Sequence, residues 1–135
     1  MAVIVSPSEL LDRAEVFRDY QRASKSRPRY FLLCHSIELI LKAYIASRRP
    51  ITEDELKKLF GYDLLKLLDE AMRLGLNVSP SIESDIEKFI GAHREYLAHP
   101  NEATYQMLVS EYFVERDIDE LFEAVRQRMA GSSSL

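Results

Sequence analysis

Apolar positions recur along this chain at helical rather than strand spacing, and they divide it into a series of amphipathic segments. After a short apolar stretch from Ala2 to Val5, Ser6-Pro7-Ser8-Glu9 carries the chemistry of a helix start: a serine N-cap, proline at the first helical position and a glutamate placed to close a capping box. Leu10, Ala14 and Phe17, with Leu11 beside them, give that first helix one buried face up to about Tyr20. Pro28 suits the first turn of a second helix, running from Arg29 to about Arg48. Its apolar residues cover most of its circumference, which marks it as the central helix. Thr52-Glu53-Asp54-Glu55 is a second capping box and opens a short helix ending at Gly61. Tyr62-Asp63 leads into an amphipathic helix from Leu64 that Gly75 stops. Ser79-Pro80 or Ser81 starts the next, in which Ile82, Ile86, Phe89, Ile90, His93 and Leu97 fall in a core-facing stripe. Pro100 halts it. Residues 101–116 suit either a helix or an extended hydrophobic segment. Asp117 caps a last helix striped by Ile118, Leu121, Phe122, Val125 and Met129, and residues 131–135 form a flexible tail.

These elements predict an all-α fold, an up-and-down bundle of four to five helices in a single domain over residues 1–130. At 135 residues the chain is long enough to bury one core without staples. Cys34, the only cysteine, lies in an apolar run and has no disulfide partner, which fits a reducing compartment and a packing role. No stretch approaches the roughly 20 apolar residues of a membrane span, and no basic leader precedes a signal-like core, so the sequence reads as cytoplasmic. No cofactor motif, glycine-rich phosphate loop or Cys/His cluster with metal spacing is present, and no metal is expected.

Charge narrows the functional classes. A net charge of −4 argues against a protein that coats nucleic acid nonspecifically, since such binding rests on an excess of lysine and arginine. A local phosphate site remains open: Arg22, Lys25, Arg27 and Arg29 form a basic cluster with no acid among them, and Arg48 and Arg49 form a smaller one. On the central helix His35, Glu38 and Lys42 stand three and four apart and share a polar seam. A buried acid is costly unless paired. Glu38 has two readings: it bonds Lys42 one turn on, or it reaches across to orient Arg94.

The densest candidate chemistry is His93-Arg94-Glu95-Tyr96-Leu97-Ala98-His99-Pro100. Arginine is a permanent cation suited to phosphate, and histidine exchanges protons near neutrality. His93 lies inside the apolar stripe and reads as a packed core residue. Arg94 falls at the edge of that face, and Glu95 points to the far side. In an unbroken helix Arg94 and His99 would be about 140° apart around the axis. Pro100 disfavours helical geometry at the residue before it, which displaces His99 from the helical track and allows it to approach Arg94. The other reading of His99 is a cap beside a helix stop.

The order of these parts resembles the HEPN family of small helical domains, from the first helix to the last. The resemblance rests on Glu38-Leu39-Ile40-Leu41-Lys42-Ala43, similar to that family's Glu-Leu-x-Leu-Lys-Ala pattern; on Gly61-Tyr62-Asp63-Leu64, similar to its Gly-His-Asp-Leu stretch; and on Arg94, four intervening residues and His99, similar to its arginine, four to six residues, histidine motif. It implies a metal-independent endoribonuclease of toxin-antitoxin or defence systems, cleaving single-stranded RNA as a homodimer, with Arg94 and His99 catalytic. Glu38 would orient Arg94, and Glu95, His93 and Tyr96 would orient or line the site. Arg22, Lys25, Arg27 and Arg29 are the candidate RNA phosphate contacts. The family also implies an alternative, a non-catalytic interaction or nucleotide-binding module acting with a nucleotidyltransferase-type antitoxin.

Overall fold

The structure is a computed structural model that describes residues 3–23, 28–61, 63–110 and 115–133. Seven helices account for most of the described residues: α1 (Pro7–Ala23), α2 (Pro28–Arg48), α3 (Glu53–Leu59), α4 (Leu64–Arg73), α5 (Pro80–Ala98), α6 (Glu102–Ser110) and α7 (Glu115–Ser133). The all-α expectation holds, with seven helices in place of four or five. The described residues cluster into two compact units, one spanning Met1–Leu76 with Val125–Leu135 and the other Asn77–Ala124.

The helix ends follow from local chemistry. Ser6 Oγ accepts from the Glu9 N–H at 3.3 Å. Thr52 and Glu55 form a reciprocal capping box at α3, and Asp63 caps α4 by accepting from the N–H groups of Leu65 and Lys66. Each satisfies amides that the helix itself leaves unbonded. Gly75 closes α4 in a Schellman motif: the Leu76 N–H donates to the Ala71 carbonyl and the Gly75 N–H to the Met72 carbonyl, both at 3.0 Å. The motif needs a left-handed residue, and Gly75 supplies it with φ 101°.

In the first unit α2 is central, lying along α1 and packing on α4. Leu33, Ile37, Ile40, Leu41, Ala43, Tyr44 and Ile45 are fully buried along it. The Tyr44 hydroxyl donates to the Leu74 carbonyl at 3.0 Å, satisfying the one polar atom of a buried ring. The end of α7 is tied into this unit, since Arg128 donates to the Gly75 carbonyl and accepts at its own carbonyl from Arg48. Near the N-terminus, the Val5 N–H donates to the Ile51 carbonyl at 2.8 Å beside an isolated antiparallel bridge between Ile4 and Thr52.

Several sequence expectations change. Residues 102–110 are helical, and Asn101 caps them: its side chain accepts from the Thr104 N–H while its own N–H donates to Thr104 Oγ1. The last helix starts at Glu115, so Asp117 lies inside its first turn, buried, and is not its cap. That helix also continues to Ser133, through most of the segment expected to be a tail. Leu97, placed in the α5 stripe by its spacing, is exposed. The last turn of α5 meets α6 through Tyr96, whose ring lies 5.9 Å from that of Tyr105, and Leu97 sits about 100° around from that contact.

Candidate functional site

Two places in the fold carry candidate chemistry, one in each unit. The first is the C-terminal end of α5. Arg94, Glu95 and His99 are exposed there, and Tyr96 is half-buried. His99 leaves the helix with φ −136° and ψ 74°, as a residue before proline does, while its N–H still donates to the Glu95 carbonyl at 2.9 Å. Its own carbonyl accepts from Thr104 Oγ1 at 2.6 Å. The backbone of His99 is therefore held on both sides, and its imidazole stands in solvent. Four consecutive features set this turn: the end of α5, Pro100, the Asn101 cap and Thr104 on α6.

His93 is different. Its ring stacks on Phe89, with centroids 6.5 Å apart and planes at 8°, and desolvation by burial holds its pKa below the ordinary histidine value. A histidine kept neutral by its surroundings fits the packed role that its place in the stripe suggests.

The second place is the polar seam of α2. Lys42 Nζ donates to Glu38 Oε2 at 2.7 Å, and His35 Nδ1 lies 3.6 Å from Glu38 Oε1. Glu38 thus bonds Lys42 one turn along its own helix, as the first of its two readings has it. The His35 ring also meets Phe17 edge-on at 4.4 Å. All three seam residues line a cleft of about 260 Å³. Arg13, Glu53, Asp54 and Lys57 line it too, and sequence reasoning passed over them because α1 and α3 bring them to the seam only in the folded chain.

The basic clusters divide. Arg22 and Arg29 lie on α1 and α2 with side chains outside those described, and Lys25 and Arg27 fall outside the described residues. Arg48 lies over the Tyr44 ring, 5.2 Å from its centroid, and Arg49 pairs with Glu70 at 3.1 Å. Both serve packing within the fold. Arg73 also bonds Glu70, and that hydrogen bond, more than the nearby positive charge, holds the Glu70 carboxyl below its usual range. Cys34 is buried, and desolvation pushes its thiol far above the ordinary value, so it is an unreactive packing residue.

Among the described residues no three His, Cys, Asp or Glu side chains gather as a metal site would require, and no helix is long and apolar enough to cross a membrane. No protein-family model, curated protein or solved structure matches this chain.

Proposed function

We propose that this chain is a metal-independent endoribonuclease of the HEPN type, acting on single-stranded RNA through Arg94 and His99. The observation that carries the reading is the break at the end of α5. His99 leaves the helical track before Pro100 with its backbone fixed and its imidazole exposed, on the same exposed helix end as Arg94. Arg94 neutralises the phosphate as negative charge builds on its oxygens, and His99 takes the proton from the ribose 2′-hydroxyl or returns one to the departing 5′-oxygen. Attack by the 2′-oxygen on phosphorus breaks the bond to the 5′-oxygen, so the products are a 2′,3′-cyclic phosphate and a 5′-hydroxyl. The working form is a homodimer in which the motifs of two copies face one bound strand, and a nucleotidyltransferase-type antitoxin is the partner class that the resemblance suggests.

The test incubates the purified chain with single-stranded RNA in EDTA beside Arg94→Ala and His99→Ala. The wild type cleaves, and each variant loses at least about a hundredfold in rate, the usual contribution of a proton-transfer group or a phosphate-stabilising donor. RNA left equally intact by all three proteins overturns the enzyme reading and leaves the non-catalytic helical module.

A further inference from the structure

On an otherwise apolar helix, a charged pair buried to about nine-tenths is a feature without a stability rationale. Side-chain exposures of 9% for Glu38 and 12% for Lys42 mean that both charges have lost most of their water. Hydrophobic residues of similar volume at two such positions are often as stable or more so. Ser36, a buried polar residue on the same part of α2, is accounted for by its bond to the Leu33 carbonyl. Glu38 and Lys42 instead form the floor of an open cleft, with His35 beside them.

The cleft has three properties that bear on its ligand. Its volume, about 260 Å³, falls just below the range of sites for drug-sized molecules and suits a small metabolite. Its charges balance. Arg13, Lys42 and Lys57 face Glu38, Glu53 and Asp54, whereas a phosphate site would show an excess of cations and a divalent metal site an excess of carboxylates. Its apolar walls, Val5, Leu10, Leu39 and Leu56, are aliphatic, and no Phe, Tyr or Trp is among the described lining residues on which a nucleobase would stack.

We propose that this cleft binds a small zwitterion, a free α-amino acid with an aliphatic side chain. Lys42, Arg13 and Lys57 take its carboxylate, Glu53 and Asp54 its ammonium, and the aliphatic walls its side chain. Glu38 is a positioning residue that holds the Lys42 ammonium at the floor. The inference goes beyond the ribonuclease reading and is independent of it, because it uses residues of the first unit alone and its test contains no RNA.

Saturation-transfer NMR and calorimetry with L-leucine test it, with 4-methylpentanoate and 3-methylbutylamine as the same skeleton lacking the amine or the carboxylate. Saturable binding of L-leucine is expected, with each truncated analogue at least about tenfold weaker, the loss of one charge-assisted contact. Glu38→Leu/Lys42→Met, which removes both buried charges and so keeps the fold, and Arg13→Gln at the rim are each expected to weaken binding at least about tenfold. Thermal unfolding of each variant establishes that it is folded. The proposal is overturned if L-leucine, valine, isoleucine and methionine all fail to bind at millimolar concentration. It is equally overturned if the truncated analogues bind as well as L-leucine, or if the folded double variant retains full affinity.

Discussion

The seam on α2 and the end of α5 place similar residue types, a basic group and a histidine, in opposite physical settings. On α2 the charges are buried, and Glu38 is held between Lys42 and His35. On α5 Arg94 and His99 are exposed, and what is fixed is the backbone beneath His99. Burial makes a charged side chain depend on its partner. Exposure makes its position depend on the caps and turns of the chain that carries it. Substitutions should therefore register as lost stability on α2 and as lost activity on α5.

The largest expected effect breaks the comparison at its buried end. Glu38→Ala removes the buried carboxylate that accepts from Lys42 Nζ and should destabilise the protein by about 3–5 kcal/mol. Glu95→Ala, on the exposed side of α5, should stay within about 0.5 kcal/mol. Urea unfolding of the two variants measures both, and equal losses would show that burial does not separate these regions. A smaller effect is expected at the α5–α6 turn. Thr104→Val removes the hydroxyl that donates to the His99 carbonyl, at a cost of about 1 kcal/mol, and it should slow RNA cleavage because His99 is no longer held on that side. Unchanged cleavage would mean that this hydrogen bond does not position the histidine.

The smallest effect lies with His93, the half-buried neighbour of the exposed pair. Burial lowers its pKa in the folded protein, so the unfolded chain takes up its proton first as pH falls. The contribution of neutral His93 is fully present above the ordinary histidine value of about 6.5 and is lost as pH falls through the lowered folded value. His93→Phe, which keeps a ring against Phe89, should flatten the decline in stability over that window when urea midpoints are measured across pH. Parallel declines in the two proteins would assign the acid sensitivity to other groups.

How legible each feature was in the sequence depends on how local its cause is. The Thr52 box and the Gly61 and Gly75 stops were readable because capping involves residues within a few positions of one another. The Asn101 cap was missed because its reciprocal partner is Thr104, where the usual box has Glu or Gln. Leu97 was misassigned because periodicity reports a helix face but not where the neighbouring helix stops covering it. Arg18 continues the Leu10 and Ala14 face of α1 and is 3% exposed, a burial that its charge conceals from a hydrophobic pattern. At the α5 end, proline marked the departure of His99 from the helix, while the Thr104 contact required α6, whose helical character residues 101–116 had left open. The α2 seam was visible as a spacing; the cleft over it was not, since Arg13 and Lys57 reach it from different helices.

The central claim is 2′-oxygen attack assisted by Arg94 and His99. Its most direct test offers the wild-type protein, in EDTA, a single-stranded RNA and the same strand with every 2′-hydroxyl methylated. The account predicts cleavage of the unmodified strand to 2′,3′-cyclic phosphate ends, no cleavage of the methylated strand, and loss of activity in Arg94→Ala and His99→Ala. Cleavage of the methylated strand, or undiminished cleavage by either variant, would contradict it.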